Sequence, residues 1–245
     1  MGDDDSEEDV PSATNSGNKV APMGTTGIPP GLSYLSQLSG VFIKQNKELA
    51  EVILGFECNN KYVIKDQLGR DIFQAKEDSC CLSRQCCGPA RGFDMKITDF
   101  AGMEVIRLQR PCKCGLPVCC SGFCCCCLQK IDVFAPPGNL VGTVEQTVSL
   151  IIPKYEVKDG MGEVVFLIKG PCITMSCCCG DVEFKIFTRD GSNEVGKISK
   201  KWSGLLTEGF TDADNFGISF PMDLDARVKA TLIGACMLIV SYCCI

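Results

Sequence analysis

The chain has 245 residues, with 24 Lys and Arg, 30 Asp and Glu, and no histidine. Without imidazole, Ser-His-Asp triads, Cys-His nucleophile pairs and Cys/His zinc sites are excluded together. The net charge of -6 comes entirely from Asp3, Asp4, Asp5, Glu7, Glu8 and Asp9; the rest balances at 24 acids and 24 bases, without the basic excess that nucleic-acid binding asks for.

Residues 1–31 are acidic, then rich in Gly, Pro, Thr and Ser. They carry too little apolar surface to fold and read as a disordered tail, followed by one domain over 32–245. "MGDDDS" places Gly2 and Ser6 in the myristoylation pattern, but its acids oppose an anionic membrane surface, and a solvated tail fits as well. Within 32–57, "SYLSQL" predicts a helical turn, "VFIKQ" a strand and "KELAEVI" a short helix.

From residue 62 one pattern recurs. Two alternating apolar runs flank a turn rich in Asp, Gly, Asn or Pro at 62–73, 93–108, 131–144, 155–168 and 184–198. The stretch 205–220 reads as a sixth hairpin. Six hairpins make twelve antiparallel strands, and a sheet of that size gains by closing, because closure removes exposed edges.

The C-terminal run, "ARVKATLIGACMLIVSYCCI", is uncharged from Ala230 onward. A helix over 228–245 has two readings. As a membrane span its 16 uncharged residues reach about 24 Å, short of a hydrocarbon layer about 30 Å thick, with Arg227 and Lys229 snorkelling at one face. As a barrel core it fills an interior too wide for strand side chains alone. Either way the arginine and lysine keep the main domain on the cytoplasmic side.

Twenty cysteines without a preceding secretory signal predict a reducing compartment and thiols rather than disulfides. They cluster at 80–81, 86–87, 112–114, 119–120, 124–127, 177–179 and 243–244. Structural zinc wants two separated pairs reaching one tetrahedral ion, and this spacing does not specify that. A catalytic thiol has no imidazole to activate it. S-acylation needs only accessible thiols near a membrane, and two or more chains hold stably where one is marginal. Cys119, Cys120, Cys124, Cys125, Cys126 and Cys127 suit that chemistry. The cysteines at 80–87 and 177–179 read instead as small buried hydrophobes. Tyr242, not cysteine, stands fourth from the end, so the terminus is not a prenyl box.

"DADNFGISFPMDLD" (212–225) invites a calcium reading. Counting Asp212 as position 1, Asp214 falls at 3, Gly217 at 6 and Asp223 at 12, where a calcium loop wants oxygen, oxygen, glycine and oxygen. Phe216 at position 5 offers only its backbone. Phe216, Ile218 and Phe220 also alternate as a strand does, so a turn at 212–215 followed by a half-buried strand is the competing reading. If the ion binds, Asp212, Asp214 and Asp223 carry it, with Asn215 as a further donor and weak affinity.

Eight segments in order, "PPGLSYLSQL" (29–38), "GFECNNKYVIKD" (55–66), "CCGPARGF" (86–93), "CCCCLQKIDVFAPPG" (124–138), "CCCGDVEFKI" (177–186), "VGKISKKWSG" (195–204), "FTDADNFGISFPMDLD" (210–225) and "KATLIGAC" (229–236), together resemble the phospholipid scramblases. The resemblance covers about residues 29–245. It implies a mostly β fold, a closed twelve-stranded antiparallel tubby-like barrel around a hydrophobic C-terminal helix. It implies calcium-activated, ATP-independent, bidirectional movement of phospholipids between leaflets, without covalent chemistry. Calcium binding is implied across Asp212, Asp214, Phe216, Ile218, Phe220 and Asp223. Palmitate is implied on the cysteine run, with the protein at the cytoplasmic face of the plasma membrane and the helix as a single pass.

The sequence also departs from that family. Only "GIPPG" remains of a proline-rich arm, so SH3 and WW partners are not expected. The run lacks an internal proline, so individual acylated positions do not carry over. The chain stops at Ile245, without the tail that usually follows a spanning helix. "GKISKKWSG" resembles a nuclear-import segment, yet three lysines equally suit an exposed strand.

Two functions compete: a lipid translocator working on membrane phospholipids, as a homo-oligomer or by insertion, and a lipid-anchored, calcium-responsive binding module. A cysteine-rich metal protein is the third class.

Overall fold

The same four-residue device closes five hairpins. At Asp66–Gly69, Asp99–Gly102, Ala135–Gly138, Asp159–Gly162 and Thr188–Gly191, the glycine N–H donates to the carbonyl three residues back, at 2.7–3.0 Å. Each glycine is left-handed, with φ between 73° and 121°, a region that side chains with a Cβ resist. A register shift follows in every hairpin, the bulge that a left-handed glycine makes at the end of the turn.

A computed structural model describes residues 27–29, 31–46, 60–80, 87, 91–113, 128–171, 182–200 and 215–243. A 3-10 turn, Ser33–Gln37, leads into β1 (Gly40–Asn46). The five hairpins follow: β2 (Lys61–Lys65) with β3 (Asp71–Asp78), β4 (Phe93–Thr98) with β5 (Glu104–Arg110), and β6 (Lys130–Ala135) with β7 (Asn139–Thr147). Then come β8 (Lys154–Asp159) with β9 (Val164–Lys169), β10 (Glu183–Thr188) with β11 (Glu194–Lys200), the lone strand β12 (Asn215–Ser219) and the helix α1 (Ala226–Cys243).

All twelve strands pair antiparallel with their neighbours in sequence, and β12 closes the barrel on β1. The expected sixth hairpin is corrected here. Its second arm is β12, lying between β11 and β1, with Ile218 opposite both Ile198 and Val41. The first arm, like the helix expected at "KELAEVI" and almost all of the tail over 1–31, lies outside the described residues. The twelfth strand of the count is β1, foreseen at "VFIKQ".

Alternate residues point inward, as the two-residue period requires. Ile64, Met95, Ile97, Ile106, Leu108, Ile131, Val133, Val157, Ile168 and Ile186 are fully enclosed. The helix α1 runs through the middle, and every residue from Lys229 to Ser241 is buried. No helix among the described residues is long and apolar enough to cross a membrane. The apolar run is therefore barrel core. Its hydroxyls are satisfied within the helix: Thr231 donates to the Arg227 carbonyl at 2.9 Å and Ser241 to that of Met237 at 2.8 Å. Close seating needs two glycines. A Cβ on Gly142 of β7 would sit 2.2 Å from Thr231 Oγ1, and one on Gly234 of α1 would sit 2.6 Å from a Val133 methyl.

Candidate functional site

Antiparallel order sorts every connection to one of two ends. The five glycine turns and the turn from β12 into α1 share one end, the tip end. The connections β1–β2, β3–β4, β5–β6, β7–β8, β9–β10 and β11–β12 leave the other, the long-loop end. By position in the chain, the cysteines at 80–87, 112–127 and 177–179 all belong to connections at the long-loop end, as does the segment with Asp212 and Asp214. Because α1 enters from the tip end and is 18 residues long, it finishes at the long-loop end, with Cys243 its last residue.

The acylation candidates Cys119, Cys120 and Cys124–Cys127 lie outside the described residues, between Lys113 and Leu128. Described cysteines nearby show how the topology gathers sulfur. Cys112, after β5, stands 4.0 Å from the sulfur of Cys87, before β4. Cys80, Cys112 and Cys236 are thiols, whereas Cys87 is disulfide-bonded, which corrects the expectation of thiols throughout. Among the described residues, no three Cys, Asp or Glu side chains are grouped to hold a metal ion.

The calcium segment divides. Asp212 and Asp214 lie outside the described residues. Phe216, Ile218 and Phe220 point into the core, with 4%, 0% and 4% of their surface exposed. β12 is hydrogen-bonded on both sides, so Phe216 and Ile218 belong to its ladders. Asp223 is exposed in the turn before α1, beyond the far end of β12 from Asp212 and Asp214. Asp225 caps the helix: its carboxylate accepts from the Arg227 backbone N–H at 2.8 Å. The Arg227 guanidinium beside it holds this carboxyl below the usual range, against partial burial.

The membrane-span reading of the C-terminal run placed Lys229 at a membrane surface. It is instead fully buried, and its Nζ donates to the carbonyls of Leu35 at 3.1 Å, Ser36 at 3.1 Å, Leu38 at 2.8 Å and Met222 at 2.6 Å. An ammonium has three N–H groups, so four acceptors share them. Phe220 presents its ring 5.5 Å away. Burial pushes the ammonium below its ordinary pKa, opposed by the Asp223 charge. Lys229 thus ties α1 to the 3-10 turn and closes the tip end. The only sequence signal was a cation one residue before an apolar run.

A second buried charge sits at the long-loop end. Glu77 of β3 accepts from Arg91 Nε at 2.8 Å, Ser79 at 2.7 Å and Asn60 at 2.7 Å. Burial raises its pKa, and these donors, Arg91 foremost, reverse that and hold it low. The pair bridges the β3–β4 connection where it leaves the barrel.

The family model described as Scramblase matches residues 19–242. Phospholipid scramblase 1 of Homo sapiens is 51% identical over 219 residues, 89% of this chain and 67% of that protein. Phospholipid scramblase 2 of Bos taurus is 50% identical over 219 residues, 89% of this chain and 73% of that protein. Phospholipid scramblase family member 5 of Homo sapiens is 42% identical over 243 residues, 96% of this chain and 88% of that protein.

Proposed function

The chain belongs to the phospholipid scramblase family, and on that premise we propose that it moves intact phospholipids between the two leaflets of a membrane. The movement is bidirectional and down a gradient, needs no ATP and is set off by calcium, with no bond made or broken. Asp212 and Asp214 are the primary calcium ligands, and Asn215 a further donor. Palmitate on Cys119, Cys120 and Cys124–Cys127 holds the protein at the cytoplasmic face of the plasma membrane. One observation supports the whole reading best: the cysteine clusters and the Asp212–Asp214 segment belong to connections at the same end of one barrel. Anchor and trigger therefore address the same surface.

The barrel also constrains the route. Helix and side chains fill its interior, so lipid passes outside it, along a surface, or between copies in a homo-oligomer. The same observation favours a second reading, a lipid-anchored, calcium-responsive binding module that moves no lipid itself. Purified protein reconstituted in vesicles separates the two. Calcium is expected to speed dye-lipid exchange above empty vesicles, and Asp212→Ala with Asp214→Ala to remove the calcium response. Exchange that never exceeds empty vesicles leaves the binding module.

A further inference from the structure

The β7–β8 connection breaks the rule that connections are polar. Its six residues, "VSLIIP" (148–153), include four large aliphatics. Val148 is 59% exposed, Leu150 67% and Ile151 62%, forming one contiguous apolar loop. The loop is held firmly. The Gly170 N–H donates to the Pro153 carbonyl at 2.8 Å, and Thr147 pairs with Lys154 across its neck. A Cβ on Gly170 would lie 2.5 Å from the Pro153 ring, so the two chains are packed together. The exposed side chains are thus displayed by a fixed scaffold.

From Lys154, beside the loop, a row of cations crosses the barrel wall obliquely toward the tip end. Lys154 of β8 stands opposite Lys169 of β9, Lys169 opposite Lys185 of β10, and Lys185 opposite Lys197 of β11. Like charges directly across strands destabilise a sheet, yet four stand in line on its outer surface. Of the four only Lys154 flanks the loop: the Lys169 ammonium lies 4.4 Å over the Phe187 ring, toward the Thr188–Gly191 turn, Lys185 pairs with Glu194 just beyond that turn, and Lys197 pairs with Glu183, each pair at 3.0 Å. At the tip end the exposed apolar residues Leu68, Phe100, Met103, Met161 and Met222 are divided among four turns, three of which open on an aspartate. The aspartates of that end oppose anionic lipid, whereas the exposed Lys154 beside the apolar loop favours it.

We propose that the long-loop end of the barrel is the face that meets the bilayer, with Val148, Leu150 and Ile151 entering the acyl layer and the exposed Lys154 beside them lying against anionic headgroups. The assignment rests on the membrane role proposed above and adds a direct, acyl-independent contact. The loop leaves the same end of the barrel as the cysteine connections.

The test uses the full, unacylated chain with vesicles of phosphatidylcholine and phosphatidylserine, calcium present throughout. Leu150→Asp with Ile151→Asp is expected to weaken co-sedimentation at least tenfold, and Leu68→Asp with Met161→Asp to leave it unchanged. Both sites are exposed, and unaltered thermal melting confirms the fold of each variant. In a Trp202→Phe background, Ile151→Trp is expected to be quenched by brominated acyl chains and Met161→Trp not. Native chain that stays off the vesicles, a loop variant that binds as the native chain does, or quenching at 161 and not at 151 overturns the proposal. None of these readouts requires lipid to cross the bilayer, so their failure leaves dye-lipid exchange standing, and the reverse holds.

Discussion

Lys229 and Glu77 place charge where hydrophobicity dominates, and both are held by hydrogen bonds rather than by solvent. Replacing Lys229 with Met keeps the aliphatic stem and removes the donor from four carbonyls. Each buried acceptor left unmet costs about 1–3 kcal/mol, so a loss of about 3 kcal/mol or more is expected in urea unfolding. Glu77 adds a pH dependence. Its folded pKa is depressed, so its stabilisation is present above the unfolded value of about 4.3 and is lost as pH falls through the folded value. Glu77→Gln is expected to lower stability at pH 7 by about 3–5 kcal/mol, leaving Arg91 buried without its carboxylate. It is also expected to flatten the acid limb of the stability–pH curve; an acid limb as steep as the native one contradicts the assignment. Neither residue was legible as buried. A lysine before an apolar run serves a membrane surface and a barrel mouth equally, and only the carbonyls of residues 35–38, about 190 positions away, decide between them.

Elements were far more legible than sites. The five hairpins could be read because each carries its own turn, a glycine at positive φ between two alternating runs. β12 could not be assigned its partners, since one of them, β1, lies at the opposite end of the chain and leaves no local signal. The apolar loop at 148–153 was written in plain letters yet overlooked, because an apolar run between two strands looks like more strand. For α1, uniform apolarity satisfies a bilayer and a barrel interior alike; the glycines that let it approach the wall mark the barrel. Gly142→Ala drives a Cβ against Thr231 and the Lys158 carbonyl and is expected to cost about 1–3 kcal/mol by overpacking, measured as a lowered unfolding midpoint. In the β5–β6 connection, serine at Cys124–Cys127 is expected to move the protein from the membrane to the soluble fraction of cells, and unchanged recovery would sink the acyl anchor.

For the whole molecule, the filled barrel governs every functional argument. An interior occupied by α1 excludes a conduit for lipid, and a helix wrapped by twelve strands is not available to span a bilayer unless the barrel opens. Membrane attachment then falls to the long-loop end. The cysteine connections, the Asp212–Asp214 segment, the apolar loop and Lys154 all belong to that end, while the tip end, closed by Lys229, faces away. A short tag after Ile245 tests this arrangement most directly, in sealed vesicles carrying the protein on their outer face with calcium present. With α1 inside the barrel, external protease is expected to remove the tag before any detergent is added. A tag protected until detergent breaches the vesicles would place α1 across the bilayer and contradict the account.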